Sequence, residues 1–249
     1  MKRLALFLLL VLPFCAFAED PSLFGRANAQ YAKSQYKEAA ATYRRLISEG
    51  FQSAPLYYNM ANACYKTGDI PSAILYYEKA ARLSPGDEDI RFNLLLANSK
   101  ITDKIEAVPE FFLAKWWRSA ILAFPADALA ACAVVFILLG SAAVIAYFFA
   151  GSVALKKGAF FVSLILVLLG LAAILMAGLQ ERYFRDHHQS VVFEGSVTVK
   201  SGPSVQSKSL FVVHSGTKVD VLETNGGWIR ISLASGNEGW MPVAATREI

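Results

Sequence analysis

The pattern of apolar and polar positions divides this chain into three textures. From Ala128 to Ala150 and again from Gly158 to Gln180 there is no charged residue. Each run is long enough to cross a bilayer core of about 30 Å at about 1.5 Å per helical residue. Only Gly151–Lys157 separates them, which is too short for a domain. The pattern predicts a two-helix transmembrane hairpin, spans 128–150 and 158–180 with a loop at 151–157, whose two ends face one compartment. Before the hairpin, residues 19–107 carry apolar and aromatic positions at helical spacing. After it, residues 188–249 alternate with a period of two between glycine-rich turns, the signature of short strands.

The first residues form a separate pattern. Lys2 and Arg3 precede an apolar stretch from Leu4 to Phe14, and Ala16-Phe17-Ala18 precedes Glu19. A charged start, a short apolar core and a small-x-small end predict a secretory signal peptide over 1–18. Cys15 raises a lipoprotein alternative, although Phe14 stands where a lipobox needs a small residue. An uncleaved anchor starting inside gives the same topology, so the segment after residue 18 is expected outside the cytoplasm. The hairpin loop, with Lys156 and Lys157 and no acid, is then cytoplasmic, in keeping with the positive-inside tendency.

Within 19–107 the chain resembles itself at a shift of 34 residues. Ala27 aligns with Ala61, Asn28 with Asn62, Tyr31 with Tyr65, Ser34 with Gly68, Ala39 with Ala73 and Tyr43 with Tyr77. A partial third copy pairs Asn59 with Asn93 and Met60 with Leu94. This period and residue pattern resembles the tetratricopeptide repeat, best over Leu56–Pro85. The resemblance implies paired helices that bury their apolar stripes only by stacking, closed by a helix over Glu88–Ser99. So short an array should need support from the membrane or from a partner protein. In the repeat pattern Asn28, Tyr31, Tyr58, Asn59, Asn62, Tyr65 and Asn93 line the inner groove. There the asparagines either bind the backbone of a peptide or act as ordinary solvated and capping residues. Phe24 and Ala32 stand where some repeat proteins carry carboxylate-clamping lysines, which disfavours a partner held by its C-terminus.

Residues 108–127 lie between the repeats and the first span. Phe111, Phe112, Trp116 and Trp117 accompany Lys115 and Arg118 between Pro109 and Pro125. An amphipathic helix lying in the headgroup layer fits this composition, because tryptophan is apolar in its body and wet at its N–H. A linker helix packed on the repeats is the alternative.

In 188–249, Asn225-Gly226-Gly227 is a hairpin signal, and five or six short strands at this spacing predict a small barrel. Val197–Ser204, Gly227-Trp228-Ile229-Arg230-Ile231 and Gly236-Asn237-Glu238-Gly239-Trp240 together resemble the bacterial SH3 domain. Trp228 and Trp240 are either an aromatic binding platform or part of the barrel core. The resemblance implies a ligand among cell-wall peptides (peptidoglycan) or protein segments, with the site itself to be established separately.

Composition narrows the remaining chemistry. The chain is 55% apolar with a net charge of +4 and without a basic stripe, so nucleic acid is not an expected partner. Cys15, Cys64 and Cys132 form no pair placed to bridge or to bind a metal, and His187, His188 and His214 lack ligand spacing. Neither span holds an acidic or basic side chain, which disfavours a transporter or pump. With no nucleophile–base set, phosphate loop or dinucleotide fingerprint, neither a cofactor nor a catalytic activity is expected.

The fold class is therefore multidomain: an all-α tetratricopeptide-repeat domain, a two-helix transmembrane hairpin and a small all-β SH3-like barrel. This order of parts resembles the BatE-like family of the Bat (Bacteroides aerotolerance) operon proteins. The resemblance implies a scaffold in the bacterial inner membrane with both terminal domains periplasmic. Its partners would be the lipid bilayer and von Willebrand A-type Bat membrane proteins, in a complex serving oxidative or envelope stress tolerance.

Overall fold

A computed structural model describes residues 21–249. The signal-peptide segment 1–18 and Cys15 lie outside the described residues. Five helices come first: α1 (Pro21–Ala32), α2 (Tyr36–Ser48), α3 (Ala54–Thr67), α4 (Ile70–Leu83) and α5 (Glu88–Asn98). They pack as two helix pairs with α5 closing the stack. Local chemistry sets their ends. Ser53, Asp69 and Asp87 cap α3, α4 and α5 by accepting from first-turn backbone N–H groups. Gly68 leaves α3 in the left-handed region at φ 83°, and Ser34, its counterpart one repeat earlier, takes the same region at φ 60°. Ala27, Ala39, Ala61 and Ala73 are fully buried, so the helices approach closely, and Tyr43 and Tyr77 fill the space between them.

Helix α6 (Phe112–Ile121) leads into α7 (Ala126–Phe149) and α8 (Val153–Asp186), both long and apolar enough to cross a membrane. Ser152 caps α8 by accepting from Leu155 N–H, so Lys156 and Lys157, expected in the loop, occupy the first turns of the helix. Gly140 and Gly170 set the close approach of the pair. A Cβ on Gly140 would lie 3.0 Å from Val167, and one on Gly170 would lie 2.8 Å from Ile137. Ala133, Ser163 and Ala173 share this seam, whereas Ser141, Ala142, Ala172 and Gly178 face outward.

Seven short strands complete the chain: β1 (Gln189–Val192), β2 (Ser196–Lys200), β3 (Ser209–His214), β4 (Lys218–Asn225), β5 (Trp228–Ser232), β6 (Glu238–Pro242) and β7 (Thr246–Glu248). They form one antiparallel sheet in the order β3-β2-β6-β5-β4-β1-β7. The β4–β5 hairpin pairs Asn225 with Trp228 across Gly226 and Gly227, whose φ values of 54° and 86° make the mirror-image turn that matches strand twist. Val197, Val199, Val213, Val219, Ile229, Ile231 and Met241 form the barrel core. Gly239 lets β6 cross β2, since a Cβ there would lie 2.5 Å from Val199 and 2.9 Å from the Lys200 carbonyl.

The barrel is docked on the repeats. Val191 of β1 and Ile249 belong to the same buried cluster as Ile74 of α4, with Ile101 and Phe193 packed against it. The short array is expected to lean on the membrane or a partner protein, whereas here the barrel of the same chain covers its apolar surface.

Candidate interaction site

The sequence-predicted groove residues lie on α1, α3 and α5, and all seven are half-buried. The structure joins most of them in a network. Asn28 Oδ1 accepts from Tyr43 Oη at 2.6 Å and from Asn59 Nδ2 at 3.1 Å. One repeat later Asn62 Oδ1 accepts from Tyr77 Oη at 2.5 Å. Asn93 Nδ2 donates to Tyr58 Oη at 2.7 Å and to the Asp89 carbonyl at 3.0 Å. Tyr58 and Tyr77 rings sit 5.9 Å apart, and Tyr31 meets Tyr36 edge-on at 5.1 Å. Tyr65 packs against the repeat core without joining the hydrogen-bonded set.

The asparagines are therefore first of all struts between helices. The side-chain oxygens of Asn28 and Asn62 are consumed internally, while their amide nitrogens have no partner among the described residues and remain available as donors. Burial, more than the neighbouring Tyr31, pushes the Tyr43 hydroxyl up to about 12, against a smaller downward pull from Asn59, so it stays a neutral donor. Tyr77 is raised in the same way, chiefly by burial and then by Tyr58. Burial also pushes the Cys64 thiol up to about 12, which leaves it unreactive as a nucleophile.

On the barrel, Trp228 and Trp240 fall on the outer face. They alternate with Ile229, Ile231, Gly239 and Met241, which are buried, and neither tryptophan belongs to the core cluster. Trp228 pairs with Pro242, and Trp240 lies between Arg230 and Lys200 across its two neighbouring strands. Arg230 reaches Glu238 at 2.6 Å on the same face. The two rings and two cations form a half-exposed aromatic and basic strip. A separate cleft of about 350 Å³ opens on the side of the barrel between Ser190, Leu222, Ile229, Val243 and Thr246.

The contacts that the sequence left unannounced lie between modules. Asp103, in the segment after α5, accepts from His214 N–H at 2.7 Å and from Thr217 Oγ1 at 2.7 Å, and its other oxygen meets His214 Nδ1 at 2.6 Å. Glu78 of α4, buried, pairs with Lys218 of β4 at 2.8 Å. Arg82 of α4 donates to the Ile249 carbonyl and to the Phe184 carbonyl at the end of α8, with its guanidinium 5.2 Å from the Phe184 ring. A Cβ on Gly86 would lie 2.8 Å from the Ala123 carbonyl in the turn between α6 and α7. Repeats and barrel thus meet at the same end of the α7–α8 hairpin. No signal in the sequence pairs these residues, because each contact joins segments far apart along the chain.

Helix α6 packs toward α8, and its Ile121 is buried, while Phe112, Trp116 and Trp117 are 69%, 66% and 51% exposed. Arg118 is tied to Glu110 at 2.6 Å. His187 stacks on Tyr183 with centroids 4.3 Å apart, and His188 faces Glu248 at 3.5 Å.

Comparison with known proteins follows the same division. The pattern of the tetratricopeptide repeat matches residues 54–87, and that of the bacterial SH3 domain matches residues 195–246. These two modules and two apolar helices define the class: a multidomain chain of helical repeat, candidate membrane hairpin and SH3-like barrel. No curated protein matches the chain. Among solved structures, an NlpC/P60 family protein from Bacillus cereus ATCC 10987 is similar at 19% identity and a TM-score of 0.22. That match covers 27% of this chain, and the chain spans 22% of the other.

Proposed function

We propose that this chain is a non-enzymatic, membrane-anchored scaffold. It holds a repeat groove and an SH3-like module on the periplasmic side of a bacterial inner membrane and assembles a complex of the Bat type with von Willebrand A-type membrane proteins. The observation that carries the reading is the clustering at one end of the hairpin, where Arg82 touches both the end of α8 and Ile249. A hairpin that returns to its starting side delivers both modules to one aqueous space. There the anchor raises their effective concentration toward partners in the same bilayer. The tied asparagine network favours a rigid groove that presents amide donors to an extended segment.

Deleting residues 20–107 should abolish co-purification of von Willebrand A-type membrane partners from solubilised membranes, and unchanged recovery rejects the reading. A reporter fused after Ile249 and one placed near Lys100 should both report the periplasmic side.

A second reading, peptidoglycan binding through the barrel, is favoured by Trp228 and Trp240 lying outside the core. The full chain in detergent should then sediment with purified wall material. Trp228→Ala/Trp240→Ala should abolish this without unfolding the barrel.

A further inference from the structure

Among the described residues, helix α5, which closes the repeat stack, lacks the partner helix that its predecessors have. At the 34-residue shift, Tyr58, Ala61 and Asn62 of α3 correspond to Phe92, Leu95 and Leu96 of α5. In α3 this face is covered by α4: Ala61 is fully buried, Asn62 is bonded to Tyr77 and Tyr58 packs on the Tyr77 ring. In α5 no helix among the described residues covers it. The chain after Asn98 turns toward the barrel instead of forming a second helix, and the next helix, α6, packs on α8. Phe92 is 66% exposed, Leu95 63% and Leu96 39%. With Ser99 they form a stripe at i, i+3, i+4 and i+7 spacing, which is the footprint of one packed helix. The substitutions make this face more apolar than its counterpart, although solvent would favour the reverse.

The charges flanking the stripe narrow the occupant. Helix α5 opens on Asp87, Glu88 and Asp89, with one base, Arg91, 4.0 Å from Glu88, and Lys100 and Lys104 follow its end, so its start is net acidic and its end basic. Lys104 is committed to the Ser99 carbonyl at 2.9 Å, which leaves Lys100 exposed beside the stripe. A helix laid antiparallel on this face is complementary if it is basic at its end and acidic at its start. Helix α5 of another molecule has that polarity. We infer that the exposed face of α5 is a homodimer contact, in which α5 packs antiparallel on α5 of a second copy about a twofold axis. Phe92 then lies against the partner's Leu96, the Leu95 side chains cross near the axis, and Glu88 approaches the partner's Lys100. Such an interface is isologous, so each complementary pair occurs twice. One helix pair buries less than the roughly 1,200–2,000 Å² of a standard interface. The contact is therefore weak in dilute solution and, given the membrane-anchored reading above, strengthened where two chains share a bilayer.

The test uses the full chain alone, reconstituted in phosphatidylethanolamine–phosphatidylglycerol vesicles, so its outcome is separate from the recovery of other proteins. On a Cys15→Ser/Cys132→Ser background, Leu95→Cys is treated with a short bismaleimide; Cys64 is buried and does not compete. Dimer yield should exceed that of Gln52→Cys, an exposed control in the α2–α3 connection, by about fivefold or more, the equivalent of about 1 kcal/mol. Adding Lys100→Glu should lower the yield, and Glu88→Lys together with Lys100→Glu should restore it. Gln52, Glu88, Leu95 and Lys100 are all exposed, so circular dichroism and melting temperature should stay close to those of the parent in every variant. A Leu95→Cys yield no greater than the control, or one indifferent to the charge reversals, overturns the inference.

Discussion

Asp103 and His214 are 111 residues apart and joined twice: Asp103 Oδ2 accepts the His214 backbone N–H at 2.7 Å, and Oδ1 accepts from His214 Nδ1 at 2.6 Å. Burial alone would raise the carboxyl of Asp103. The hydrogen bonds from Thr217 and from the His214 backbone and ring, together with the His214 charge, outweigh it and hold the group below the usual carboxylate range. The carboxylate is the acceptor, so the ring presents Nδ1–H to it. The segment between the repeats and helix α6 thereby fixes the β3–β4 turn of the barrel.

Acid should loosen this junction. The folded-state pKa of Asp103 is depressed, so its contribution is complete above about pH 4, the ordinary carboxylate value. It is lost as the pH falls through the lower folded value. Amide exchange around Thr217 should rise in that acid range. Asp103→Ala should bring the same rise at neutral pH, at a cost of about 2–3 kcal/mol for charged hydrogen bonds.

The Tyr43–Asn28 and Tyr77–Asn62 bonds are the same joint in successive repeats. Tyr43→Phe and Tyr77→Phe should each destabilise the chain by about 1–2 kcal/mol in chemical unfolding. Because the Tyr43 hydroxyl is pushed up to about 12, its stabilising share is intact below pH 10, the ordinary tyrosine value. It declines as the pH rises toward the folded value, and Tyr43→Phe should flatten that alkaline loss.

Ser34 at φ 60° sits where the next repeat has Gly68. A left-handed backbone disfavours any side chain with a Cβ, so Ser34→Gly should stabilise by about 0.5–1 kcal/mol. Gly68→Ala should destabilise by a similar amount or more. Melting temperatures of the two variants should move in opposite directions.

Lys218→Ala leaves Glu78 buried without its partner. Breaking a buried pair costs about 3–5 kcal/mol, and the 40% exposure of Lys218 discounts this toward about 2 kcal/mol. Exchange protection in α4 and β4 should fall together. Replacing both groups, as in Glu78→Leu/Lys218→Met, should recover part of the loss, because no unpaired charge then remains.

The groove residues show how far a pattern reaches. The 34-residue period placed Asn28 and Asn62 at equivalent positions on first helices, and the structure keeps them equivalent. The period did not reveal that their oxygens are occupied by tyrosines 15 residues on, because Tyr43 and Tyr77 read equally well as apolar filler. Likewise the alternation around Trp228 is visible in the sequence. Which of the two alternating faces is the inside depends on where the sheet closes.

By itself the sequence determined what is local and periodic: the repeat, the two apolar runs, the alternating strands, and the glycines at turns such as Gly68 and Gly226-Gly227. Each is set by helix or strand period, solvent transfer or backbone sterics over a few neighbouring residues. Tertiary structure alone decided that the barrel sits on α4, that Asp103, Glu78 and Arg82 are the fastenings, and that no described helix covers the outer face of α5. Those outcomes depend on which distant surfaces exclude water together and which buried charges find a partner, and no local window of sequence contains both halves of such a contact.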